Sequence, residues 1–97
     1  MYEVSSTIAL QKFDGLKVQK ISIAPQPEIL FISLEKDATF PEHPSPRDAN
    51  LIMLEGEVVF YIKGKEYLLF GQQHFQFEKE VPHWVKANEN SKFLIIR

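Results

Sequence analysis

Residues 58–70 read Val58-Val59-Phe60-Tyr61-Ile62, then Lys63-Gly64, then Lys65-Glu66-Tyr67-Leu68-Leu69-Phe70. The first arm is β-branched and aromatic throughout, the residue types that suit a pleated, half-buried surface. A glycine-bearing pair between two such arms reads as a tight hairpin, and Gly71 ends the second arm. Outward from this hairpin the dominant period stays at two rather than 3.6. Further strands are predicted over 16–23, 28–35, 50–54, 73–77, 81–87 and 92–96. Turn signals separate them at Asp14-Gly15, Pro25-Gln26-Pro27, Lys36-Asp37, Glu55-Gly56, Glu78-Lys79-Glu80 and Asn88-Glu89-Asn90. No helix of ~10 residues or more is supported. Many short, evenly spaced strands predict an all-β sandwich or barrel. The stretch Phe40-Pro41-Glu42-His43-Pro44-Ser45-Pro46 cannot be a central strand, because proline donates nothing to a ladder. It is expected as a loop on a sheet edge or at a barrel mouth.

The chain of 97 residues is expected to be one domain over 1–97. At this size folding buries a little over ~60% of the unfolded surface, enough to fold without staples. Hydrophobic residues at 44% and charged residues at 25% are ordinary globular values, which argues against disorder. Eleven basic residues against 13 acidic ones give a net charge of −2, which argues against nucleic acid as the main partner. The absence of cysteine excludes disulfides and thiolate metal sites. The N-terminus Met1-Tyr2-Glu3-Val4-Ser5-Ser6-Thr7 has no basic or apolar signal region, and no apolar stretch approaches ~18 residues. No membrane association is expected, and the cytoplasm is the expected location.

The segment from His43 to Gly56, the hairpin, and the Pro82-His83 step resemble the cupins, the small RmlC-like jelly-roll barrels also described as double-stranded β-helices. Their first motif has two histidines one residue apart, a glutamate four residues on and a glycine seven residues after that. Counting back from Leu54-Glu55-Gly56 puts these positions at His43, Ser45 and Ala49. The second motif is a proline-histidine step after a glycine turn and a strand, here Gly71, Phe75-Gln76-Phe77 and Val81-Pro82-His83. The resemblance covers residues 28–96. It implies an all-β jelly roll with three histidines and a glutamate converging on a metal. Here Ser45 and Ala49 replace two of the four ligands, leaving a degenerate site of His43 and His83. Two imidazoles plus waters hold a divalent zinc, nickel, iron or manganese ion only weakly, since such sites want three or four protein ligands. No cofactor is therefore firmly expected.

Alternation assigns the faces. With His43 and His83 inward, Ser45, Ala49, Leu51, Met53, Val58, Phe60, Ile62, Phe75, Phe77 and Val85 share the interior. Asn50, Ile52, Leu54, Val59, Tyr61, His74, Gln76 and Trp84 face away. Within that second set Ile52, Leu54, Val59, Tyr61 and Trp84 are expected to form one apolar patch. Since cupins commonly dimerise through such sheets, the resemblance implies a homodimer. Tyr67 is expected in the core with its hydroxyl bonded. The reading that follows is a small-molecule-binding module whose ligand meets His43, Ser45, Met53, Phe60 and His83. The alternative is a metal-dependent oxygenase or isomerase using His43 and His83, so catalysis is left open. A third possibility is an interior filled by side chains.

Overall fold

The structure, a computed structural model, describes residues 2–21 and 25–97. One helical turn, α1 (Thr7–Leu10), precedes nine strands. They are β1 (Leu16–Lys20), β2 (Ile29–Leu34), β3 (Thr39–His43), β4 (Ala49–Glu55), β5 (Glu57–Ile62), β6 (Lys65–Phe70), β7 (His74–Phe77), β8 (His83–Ala87) and β9 (Ser91–Ile96). The strand predicted over 16–23 ends at Lys20, and residues 22 and 23 lie outside the described residues. A five-stranded sheet runs β1-β2-β9-β4-β7 and a four-stranded sheet runs β3-β8-β5-β6, every pair antiparallel. This is a jelly roll, all-β as the strand periodicity predicts.

The proline-bearing stretch expected as a loop begins as an edge strand. β3 pairs β8 with a register shift between Phe40 and His43, across Pro41. Only one side of an edge strand is paired, so the missing proline donor leaves no gap inside the sheet. Beyond His43 the chain is loop. The Ser45 carbonyl accepts from the Glu80 amide at 2.8 Å, and the Asp48 carboxylate accepts from the Lys79 amide at 2.9 Å. These two bonds fasten the β3–β4 loop to the β7–β8 turn.

The core lies between the two sheets and follows the period-two assignment. Ala49, Leu51 and Met53 of β4 and Val58, Phe60 and Ile62 of β5 are buried, together with Phe77, Val85, Phe93 and Ile95. Burying each large apolar side chain stabilises by roughly 1.5–3 kcal/mol. The outer face of the five-stranded sheet is not wholly wet. Phe31, Ser33 and Lys92 are buried there. The Lys92 ammonium donates to the Ile8 and Ala9 carbonyls at 2.6 and 3.2 Å and sits 5.2 Å from the Phe13 ring centroid. The N-terminal segment is thus strapped across that face by a lysine that satisfies carbonyls α1 leaves unpaired.

The single apolar patch expected on the outside divides in two. Ile52 belongs to the five-stranded sheet, where it pairs with Leu94 and His74. Val59, Tyr61 and Trp84 belong to the four-stranded sheet, whose outer face points the opposite way. Alternation tells in from out, but not which sheet an outward residue belongs to.

Two glycines carry the tight connections. Lys63 and Gly64 both have positive φ, 52° and 72°, the geometry of a two-residue hairpin turn that matches strand twist. Gly56 joins β4 to β5 at φ 90°, and a Cβ there would collide with the Ser91 hydroxyl and the Asn90 carbonyl. Replacement of Gly56 by Ala combines left-handed strain with overpacking, an expected loss of about 3 kcal/mol or more. Gly64→Ala meets open space and is expected to lose only about 1 kcal/mol. Urea unfolding of the two variants checks this ordering, and equal losses would contradict the crowding at Gly56.

Candidate functional site

His43 and His83 are direct cross-strand partners on β3 and β8. Their rings meet edge to face, with centroids 4.5 Å apart and planes at 63°. Each Nδ1 lies against the carbonyl two residues before it, Pro41 at 2.7 Å and Val81 at 2.9 Å. A carbonyl only accepts, so each Nδ1 carries a proton and donates it to that carbonyl. His83 is 2% exposed, stacked on Phe60 at 5.2 Å and tilted against Phe77 at 4.6 Å. His43 stacks on Phe40 at 4.3 Å. Desolvation in this setting pushes the His83 pKa below its ordinary 6.5; the neighbouring His43 adds to the lowering and the Val81 carbonyl opposes it.

Three of the five expected ligand-contacting residues therefore come together: His43, Phe60 and His83. Ser45 is 1% exposed, and its hydroxyl donates to the Arg47 carbonyl at 2.6 Å and accepts from the Arg47 amide at 3.4 Å. It staples its own loop. Met53 is 1% exposed within the apolar core. Ala49, at the position where the resemblance implies a glutamate, offers no donor atom. Among the described residues no three His, Cys, Asp or Glu side chains are grouped to hold an ion. The two imidazoles fall short of the three or four protein ligands that zinc and similar ions use, so the residues present do not fit the four-ligand site.

The space lies beside the histidines. A cavity of about 560 Å³ opens between β4–β7 on one side and the β5–β6 hairpin on the other. Ala49, Ile62, Tyr67, Phe75 and Phe77 form its apolar wall, and Asp48, Asn50, Lys63, Lys65, Gln76 and Glu78 its polar margin. An alanine at position 49 in place of a glutamate leaves part of this room free. β6 and β7 are the terminal strands of their sheets, so no ladder joins the sheets here. Tyr67 and Phe75 bridge the gap instead, with ring centroids 5.1 Å apart. Phe75 and Phe77 lie 4.8 and 4.9 Å from Phe60. A continuous run of rings thus leads from the mouth to His83 and His43, with Phe77 shared by the cavity wall and the His83 packing. Across the mouth Lys63 pairs with Glu78 at 2.8 Å.

Tyr67, expected in the core, is 37% exposed on the cavity wall. Lys65 and Tyr67 were not singled out as site residues, although the alternation Lys65, Tyr67, Leu69 already puts them on one face of β6. His74 is exposed, and its Nε2 donates to the side-chain Oδ1 of Asn50 at 2.8 Å.

Residues 30–96 match the Cupin domain family. The fold is similar to that of an RmlC-like cupin protein from Desulfovibrio desulfuricans, with 18% identity, TM-score 0.84, and 99% of this chain and 95% of that chain covered. It is also similar to a cupin superfamily protein from Desulfitobacterium hafniense, with 15% identity, TM-score 0.81, and 89% and 79% covered. A conserved protein of unknown function from Streptococcus pyogenes gives 24% identity, TM-score 0.78, and 88% and 75% covered. The sequence has no match among curated proteins.

The lowered His83 pKa sets a pH dependence. Between that value and the unfolded value near 6.5, the unfolded chain binds the proton and the folded chain does not. The contribution is full above about pH 6.5 and is lost as pH falls through the folded value. The urea midpoint should therefore drop below pH 6.5, with a shallower drop in His83→Gln than in the exposed control His74→Gln. Equal pH profiles for the two variants would remove His83 as the cause.

Proposed function

The chain belongs to the cupin family, and from that premise we propose that it is a binding module for a small organic molecule, taken up in the cavity bounded by Tyr67, Phe75 and Phe77. The observation that supports this reading is the cavity itself. At about 560 Å³ it falls within the range of small-molecule sites, roughly 300–1,000 Å³, and it joins an apolar wall to a few polar groups at the margin. His43 and His83 then serve as packed rings behind Phe77 rather than as the primary contact. The metal-dependent oxygenase or isomerase alternative rests on these two imidazoles, and among the described residues no third ligand is grouped with them.

A flat hydrophobic probe should stack on the Tyr67–Phe75 wall. Binding of 3-phenylpropan-1-ol, followed by ligand-observed NMR, should weaken about fivefold in Tyr67→Ala, the equivalent of one aromatic contact near 1 kcal/mol. Unchanged affinity would overturn this placement of the ligand.

We also propose that two copies pair through the outer face of the four-stranded sheet. Leu68 and Phe70 are exposed there beside Val59 and the stacked Tyr61–Trp84 pair, whose centroids are 3.6 Å apart. Lys86 lies next to Val59, while Glu57 and Glu66 lie next to Phe70 and Tyr61. A two-fold copy can set each lysine against a partner glutamate while the apolar strips meet. Sedimentation equilibrium should give twice the mass of one chain, falling to one chain in Trp84→Glu. A monomeric unaltered protein would refute the pairing.

A further inference from the structure

We infer that the cavity takes an aromatic or similarly flat ring carrying a single negative charge, a ring-bearing carboxylate, with Lys65 as the group that selects it. The inference rests on the small-molecule reading above and goes beyond it by naming the ligand's charge and the residue that reads it.

The charged groups at the mouth differ in whether they already have a partner. Four charged side chains line the cavity: Asp48, Lys63, Lys65 and Glu78. Lys63 and Glu78 neutralise each other across the opening at 2.8 Å. Asp48 is turned to the β7–β8 turn, where one carboxylate oxygen accepts from the Lys79 amide at 2.9 Å. Lys65 has no ion pair and no side-chain hydrogen bond among the described residues. The four charges balance in sum, and Lys65 is set apart because it alone of the four has no partner, while Asp48 keeps its charge with one oxygen held by a backbone amide.

Its position follows from register. On β6, Leu69 opposes Val58, Tyr67 opposes Phe60 and Lys65 opposes Ile62, and all three β5 partners are buried. Lys65, Tyr67 and Leu69 thus share the inward face, with Leu69 deepest and Lys65 at the open end. A ring lying on Tyr67 and Phe75 has its outer end level with Lys65, two residues along the same strand face. A carboxylate there gains a charge-assisted hydrogen bond from a flexible ammonium. A ligand cation meets an unneutralised like charge instead.

Three probes of one shape separate the possibilities: 3-phenylpropanoate, 3-phenylpropan-1-ol and 3-phenylpropylamine, each titrated by ligand-observed NMR at low salt. The acid should bind about tenfold tighter than the alcohol, which one charged contact supplies, and the amine weaker than the alcohol. Lys65→Gln should bring the acid down to the alcohol while leaving the alcohol unchanged, and Lys65→Arg should keep the preference. Lys65 is exposed, so neither variant disturbs the core. Equal binding of acid and alcohol, tighter binding of the amine, or an acid preference that survives Lys65→Gln would overturn the inference and leave the cavity reading standing. No binding of any probe would overturn both.

Discussion

The packing of a neutral imidazole between two phenylalanines organises this barrel. His83 comes from β8, Phe60 from β5 and Phe77 from β7, so one buried ring touches both sheets. A charged imidazole in that place would lose its hydration, which is costly in an apolar interior, and Glu42 offsets only a minor part of that cost. Desolvation is what disfavours the charged ring, and the Val81 carbonyl, which accepts from Nδ1, fixes the tautomer and the ring's orientation. The same device recurs at His43 with the Pro41 carbonyl. Both rings are therefore fixed in orientation by their own backbone two residues upstream. The edge-to-face contact between them follows from their register rather than from any shared ion.

Once the histidines are held in this way, the two substituted positions take on other work. The Ser45 hydroxyl is absorbed by Arg47, and its carbonyl ties the loop to Glu80. Ala49 lies opposite Phe77 and lines the cavity. Of these two positions one closes a loop and the other lines an open wall, while the strands around them form the regular ladders of the two sheets. Fold and chemistry separate here, as they do across folds that host many functions.

Much of the fold was legible because one face of every central strand is buried. Ala49, Leu51, Met53, Val58, Phe60, Ile62 and Val85 fell inward as alternation requires, since a one-residue slip would turn the whole set to water. The jelly roll and the shared position of His43 and His83 were readable only through the resemblance carried by Leu54-Glu55-Gly56 and Pro82-His83. Three features were not. Pro41 argued for a loop, yet an edge strand tolerates it because only one side of the strand is paired. The outer apolar residues were assigned a face but not a sheet, so Ile52 and Trp84 were joined across a barrel that separates them. The cavity depends on how far β6 and β7 splay, a long-range distance that no local pattern encodes. The strap over Phe31 through Lys92 is equally non-local, linking residues more than 80 positions apart.

The net charge of −2 and an unpaired Lys65 at the mouth are not in conflict. Screening limits exposed charges to a range of about 8 Å at physiological ionic strength, so a ligand at the mouth responds to neighbours rather than to the total. The Lys63–Glu78 pair is more than half exposed on both sides and adds little stability by itself. Its larger effect is on selectivity. By occupying the Glu78 carboxylate it removes the acid that would otherwise answer Lys65, and it does so from the turn that also positions Lys65. The hairpin from which the fold was first read thus sets both the geometry of the barrel's open end and the sign of the charge waiting there.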